Sequence, residues 1–258
     1  MNASLAIATI VIKELYRRKD FYVLFILTAV LTISLGSINF FNDDRIVRFL
    51  KEACLLLIWL ASLAIALTTT ARQIPMERES RTIFPLLAKP VSRWDLILGK
   101  FIGCWLACGL ALFVFYLFFA VISGSKEHAW PVVQYFQAAW FHWIFLAVVI
   151  AMALLGSVIF AAPSSNSTIC FVVVLGILFV ARHLNQIAMQ EPEPLSSIVY
   201  ALYYLLPHLE FFDVRDLIIH NAGLIPWGPW LLASVYGGVY SAFFLAACWV
   251  AFRRKPLN

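Results

Sequence analysis

Six long apolar runs, separated by polar connections, constrain this chain more than any other feature. They cover Phe21–Phe41, about Phe49–Thr70, Phe101–Ile122, about Ala138–Ala162, about Thr168–Arg182 and Pro229–Phe252. A helix needs roughly 20 mostly apolar residues to cross the hydrocarbon core of a bilayer. Five of the runs reach that length, and the fifth, the shortest, has the least defined ends. A water-soluble fold does not explain them: 63% of the 258 residues are hydrophobic and only 13% are charged. A soluble domain of this size must still cover its surface with polar groups. The reading is an all-α integral membrane protein with six transmembrane helices in a single domain spanning residues 1–258.

The basic residues set its direction, because Lys and Arg concentrate on the cytoplasmic side. Lys13, Arg17, Arg18 and Lys19 precede the first run; Arg72 to Lys100 holds six more, and Arg253, Arg254 and Lys255 close the chain. The "APSSNST" connection holds none, so this side carries 13 of the 19 Lys and Arg, against six on the other. Both termini are therefore expected in the cytoplasm. The opening "SLAIATIVIKELYRRKDF" has no cleavage-site pattern after its apolar part. Residues 1–20 read as an interfacial helix, its apolar side chains in the lipid boundary and Lys13, Arg17 and Arg18 toward anionic head groups. A basic flank that only fixes topology is the competing reading.

Two connections are long. "MERESRTIFPLLAKPVSRWDLILGK", Met76–Lys100, interleaves acids and bases, so it is no simple polybasic anchor. Pro75 suits an early helix position, Pro85 limits the helix that follows, and Lys89–Pro90 forces an extended break. Ser92 then reads as an N-cap with Asp95 three residues later, a capping box with Asp in the place of Glu. Residues 72–100 are thus a helix–break–helix elbow between the second and third spans. The second connection, 183–228, holds "SSIVYALYYLLP", apolar but too short to span, which indicates a re-entrant or interfacial helix. Tyr203, Tyr204, Phe211, Phe212 and Trp227 there suit a membrane-interface belt.

Other chemistry is weakly signalled. The five cysteines lie inside apolar runs, so neither a disulfide framework nor a metal site is indicated. The five histidines form no HExxH pattern, and no G-x-S-x-G is present, so no catalytic residues are assigned. His208, His220, Glu210 and Asp213 read as polar loop residues before they read as a metal site. His142 sits near the start of the fourth run, where snorkelling to the interface is the expected role.

The elbow "ERESRTIFPLLAKPVSRWDLILGK" resembles the corresponding segment in permease subunits of type-2 ABC exporters. A Glu-containing charged turn, a Leu-Leu pair, a Pro-Val/Ile-Ser-Arg break and a Gly-Lys ending recur there between the second and third spans. "LLPHLEFFDVRD" is similar to a stretch in the multicopper-enzyme-maturation or gliding-type branch. The chain departs from the pattern at Ser80–Arg81, where Gly–Thr is usual. The resemblance covers nearly the whole chain. It implies a permease that pairs with a second copy or a paralogue, in a bacterial-type cytoplasmic (inner) membrane. Two separate P-loop ATP-binding subunits would drive it, with ATP–Mg on those subunits and no cofactor on this chain. The elbow would be the coupling element, with Glu77, Glu79 and Arg81, then Lys89, Arg93 and Lys100, contacting the ATPase or anchoring the elbow. Re-entrant helices would precede the sixth span, making Pro207, His208, Glu210 and Asp213 candidates for an extracytoplasmic gate. The sequence agrees in lacking a G-x-x-x-x-G-K-[ST] phosphate loop, and nothing in it points to nucleic acid. The alternatives are an ion-coupled secondary transporter or channel, which would need ionisable groups within the spans, an intramembrane enzyme, and a non-transporting scaffold subunit. A largely apolar set of spans suits lipids or hydrophobic peptides better than a hydrophilic solute.

Overall fold

The computed structural model describes residues 3–17, 44–79, 92–127, 129–190, 192–220 and 222–254, with positions 22, 26, 29–31, 33 and 34 of the first apolar run. The rest of that run, and residues 80–91 of the elbow, lie outside the described residues. In chain order the helices are α1 (Ala3–Arg17), α2 (Asp44–Ala71), α3 (Gln73–Glu79), α4 (Arg93–Glu127), α5 (Val132–Ile159) and α6 (Pro163–Gln190). α7 (Leu195–Leu205), a single 3-10 turn (Leu209–Phe212), α8 (Arg215–Ile219) and α9 (Trp227–Arg254) follow. Among the described residues there is no strand.

Five helical stretches are long and apolar enough to cross a membrane: 48–79, 93–125, 132–159, 163–180 and 227–254. They correspond to the second through sixth apolar runs. Length in residues translates directly into reach, since a helix rises about 1.5 Å per residue. Each run extends beyond its apolar residues. α5 begins at Val132, six residues before the run starts, and α6 continues to Gln190, eight beyond the end read from the sequence. The second helix of the elbow does not stand apart: it is the first two turns of α4.

α5 is the centre of the bundle. Nearly every position from Phe141 to Val158 is buried, and α2, α4, α6 and α9 pack around it. The α4–α5 pair is locked by two tryptophans that exchange hydrogen bonds. Trp105 Nε1 donates to the Trp143 carbonyl at 3.0 Å, and Trp143 Nε1 to the Trp105 carbonyl at 3.1 Å. Their rings stack with centroids 4.3 Å apart. Gly109 makes this possible, because a Cβ there would collide with the Trp143 indole. The tight α5–α6 connection is held by Asn166, fully buried, whose amide donates to the Ala153 carbonyl at 3.0 Å. Asn166 of the "APSSNST" connection is therefore a structural side chain.

α1 lies along the start of α4 and runs in the same direction. Ser4 meets Asp95, Ile7 meets Gly99 and Val11 meets Gly103. Gly99 and Gly103 form a small-xxx-small face that lets two backbones approach closely. A Cβ at Gly99 would stand 2.6 Å from Ile7 Cβ, and one at Gly103 would stand 2.7 Å from Val11 Cβ. The apolar surface of α1 is consequently divided. Ile7, Ala8, Val11 and Leu15 are buried against α4, while Leu5 and Ile10 remain exposed.

Candidate functional site

Where α3 meets the start of α4, three ties converge. Lys100 is 1% exposed, and its ammonium sits 2.7 Å from Glu77 Oε1 and donates to Gln73 Oε1 at 3.2 Å. Burying an ammonium is tolerable only with partners of this kind. The helical register supplies them, since Gln73 and Glu77 are one turn apart on the same face of α3. Pro75 sits in the first turn of α3, where its missing N–H costs nothing.

The second tie is the capping box. Ser92 Oγ accepts the Asp95 N–H at 3.1 Å, while Asp95 Oδ2 accepts the Ser92 hydroxyl at 2.6 Å and the Ser92 N–H at 3.2 Å. The shorter acid also reaches sideways: Asp95 Oδ1 accepts the Ser4 hydroxyl of α1 at 3.0 Å. The third tie is Arg93, whose Nη1 donates to the carbonyls of Phe252 and Arg253 at 2.8 and 3.1 Å. It thereby satisfies last-turn carbonyls of α9 and places a cation at the negative end of that helix. The start of α4 is thus fastened to α1, α3 and α9 together. Glu79 and Met76 on α3 face outward.

At the opposite end of the bundle, the segment between α7 and α9 folds down onto the core. Leu209, Phe212, Ile218 and Ile219 are buried, and the His208 N–H donates to the Tyr236 hydroxyl at 2.9 Å. The His208 ring packs on Tyr203 at 4.4 Å, and its Nδ1 lies 3.8 Å from Glu210 Oε1. Asp213 and Arg215 form a bidentate pair, both contacts at 2.7 Å, with the guanidinium 5.6 Å from the centroid of the Trp59 ring. Burial pushes the Asp213 carboxyl up, but the hydrogen bonds and charge of Arg215 outweigh it and hold its pKa below the ordinary value. Lys51 of α2, 3% exposed, points its ammonium at the Ile218 carbonyl, 3.5 Å away.

Beneath this lid lies His142, only 4% exposed. Its Nε2 is 2.7 Å from Ser62 Oγ of α2, and its Nδ1 is 3.4 Å from the Tyr116 hydroxyl of α4. The snorkelling expected of it does not occur, because α5 starts ten residues upstream and carries His142 almost three turns into the bundle. Among the described residues no three His, Cys, Asp or Glu side chains gather as a metal would require.

The family model for "ABC-2 family transporter protein" matches residues 11–257. The chain belongs to that family. It is a permease component of an ABC transporter, a multi-pass membrane protein of a kind that works with an ATP-binding subunit. No curated protein matches it at the level taken as significant.

Within this ABC-2 permease, the residues singled out from the sequence fall into two groups. Glu77, Arg93 and Lys100 come together around the base of α4, and Glu79 lies nearby on the open side. Arg81 and Lys89 lie outside the described residues. Pro207, His208, Glu210 and Asp213 cluster at the other end, as their closeness in the chain requires. Sequence reading did not find the Ser62–His142–Tyr116 set or Lys51, because their partners are far away in the chain and no local pattern announces them. The Gly99-x-x-x-Gly103 spacing was a usable signal for the α1–α4 contact.

Proposed function

We propose that this chain is the membrane half of an ATP-driven exporter, in the multicopper-enzyme-maturation or gliding-type branch. It has six spans, cytoplasmic termini and a bacterial-type inner-membrane location. It pairs with a second copy or a paralogue and with two ATP-binding subunits that carry ATP–Mg. The single observation that most supports this reading is the buried Lys100–Glu77 tie beside the Arg93 cap. A push on α3 is delivered through it to α4, and through Arg93 to α9, so the elbow moves the bundle instead of bending alone. On this reading Glu79, with Arg81 and Lys89, faces the ATP-binding subunit, while Glu77, Arg93 and Lys100 anchor the elbow.

The 207–219 lid is the extracytoplasmic gate. Its Asp213–Arg215 pair and the Ser62–His142–Tyr116 set beneath it define a closed state, and ATP-driven movement of α2 and α4 pulls Ser62 and Tyr116 away from His142. A buried histidine also suits proton coupling, but family membership gives the chain an ATP-binding partner in general, so we assign His142 to the gate. The test is co-purification. The expected result is a Walker-A protein retained by the parent chain and by Glu77→Gln, and lost on Glu79→Ala combined with Arg81→Ala. Transport by the chain alone, without any ATP-binding subunit, overturns the proposal. If amphiphiles are the substrates, they stimulate ATP hydrolysis by the complex; stimulation by a polar solute alone contradicts that part.

A further inference from the structure

The turn that opens the lid holds two buried polar atoms without partners. His208 Nδ1 and Glu210 Oε2 are both shielded from solvent, and neither makes a hydrogen bond among the described residues. The other carboxylate oxygen, Oε1, stands 3.8 Å from Nδ1, too far for a hydrogen bond. Aromatic rings enclose the pair. The His208 ring lies 4.4 Å from Tyr203 of α7 and 5.4 Å from Phe211. The His208 N–H donates to the Tyr236 hydroxyl of α9, and the Tyr240 hydroxyl, one turn on, lies 3.5 Å from the carbonyls of Tyr204 and Leu206. His208 therefore sits where the lid is fastened to α9.

Beside a neutral imidazole, Glu210 is a carboxylate with a water-excluded, unsatisfied oxygen, which is costly. A second proton on the ring makes Nδ1 a donor, neutralises the pair and allows a charge-assisted hydrogen bond once the gap closes by about 1 Å. Among the described residues no other charge competes for it. Asp213 and Arg215 are spent on each other. The facing titratable groups of α7 and α9 are Tyr203, Tyr236 and Tyr240, phenols of a class uncharged near neutrality. On α5, which also packs on the turn, His142 is held by Ser62 and Tyr116, and Tyr135 donates to Ser123. On α6, His183 is exposed and donates to the Phe179 carbonyl. Histidine is the side chain whose charge ordinarily changes between about pH 5 and 8. We propose that His208 and Glu210 form a pH-sensitive latch: a proton on His208 draws the two together and holds the lid shut on α9, and loss of that proton loosens it. The proton adds a bond that the open lid lacks, so acid favours the closed lid. The latch rests on reading 207–219 as the gate, and it makes extracytoplasmic acidity the signal that keeps the gate closed.

The experiment reads the lid itself, without transport. Spin labels are attached at His220→Cys, at the end of α8, and at Leu232→Cys on α9, both exposed, in the full chain in nanodiscs; the five native cysteines are buried. As the pH falls from about 8 to 5, the short-distance population is expected to rise about ten-fold relative to the long one, the effect of one charge-assisted hydrogen bond. His208→Gln and Glu210→Gln each abolish the response, and His183→Gln, at an exposed position, keeps it. A lid in the unmodified chain that ignores pH overturns the proposal, as does a response that survives His208→Gln or Glu210→Gln. A lid that tightens in acid while transport by the complex is indifferent to pH supports the latch and counts against the gate reading.

Discussion

Lys100 illustrates how one side chain can decide the behaviour of a junction. It is completely enclosed, so its charge has to be answered inside the protein by Glu77 and Gln73. Removing one member of a buried pair leaves the other uncompensated, at a cost of about 3–5 kcal/mol. Glu77 is partly exposed, so the lower end of that range is expected for Glu77→Ala, read as a lower unfolding midpoint in detergent. Replacing both partners, Glu77→Leu with Lys100→Met, should recover most of the loss, because no orphaned charge remains. His142 is the counterpart at the other end. Ser62→Ala removes its 2.7 Å partner and is expected to destabilise by about 1–3 kcal/mol, the penalty of a buried polar atom left unsatisfied. Asp213 gives a pH signature. Its folded pKa lies below its unfolded value of about 3.9. The pair therefore contributes its full stability above that pH and loses it as pH falls through the folded pKa. Thermal midpoints measured from pH 7 down to pH 3 should fall at the acid end, and Asp213→Asn should flatten that fall.

At the scale of elements, α1 and α4 depend on each other through glycine. Gly99→Leu with Gly103→Leu forces the two backbones apart, and spin labels at Ile10 and Leu106, both exposed, should report a longer and broader distance. An unchanged distance would show that α1 is held by something other than this face. The same elements show what a sequence reveals and what it hides. The five described spans and the Ser92–Asp95 cap were legible, because hydropathy and capping are local properties; the break read at Lys89–Pro90 lies outside the described residues. Helix ends were less so: α6 runs on with His183, Gln186 and Gln190 exposed and Leu184 and Ala188 buried, while α5 extends into polar residues that burial in the bundle accommodates, as Gln137 does by exchanging hydrogen bonds with the backbone of Ile225. That extension is why His142 looked interfacial in the sequence and is interior in the fold. Lys100 was named as a residue that contacts the ATP-binding subunit or anchors the elbow, but its burial against Glu77 and Gln73 was hidden, since both are distant in the chain.

At the scale of the whole molecule, the described residues form two polar centres, one at each end of the bundle, joined by largely apolar helices. The elbow centre fastens α1, α3 and α9 to the start of α4. The lid centre fastens the 207–219 segment to α2, α5 and α9, and beneath it Tyr116 of α4 reaches His142. α4 belongs to both, through Lys100 at one end and Tyr116 at the other, so on the proposed reading it is the member through which work applied at the elbow reaches the gate. The most direct measurement is ATP hydrolysis and substrate movement by the chain reconstituted with its ATP-binding subunit, comparing the parent with the Glu77→Leu, Lys100→Met double variant. The account predicts that the double variant still folds and still binds the subunit, but that hydrolysis continues while transport falls at least ten-fold. Transport that stays coupled to hydrolysis without the Lys100–Glu77 tie would contradict it.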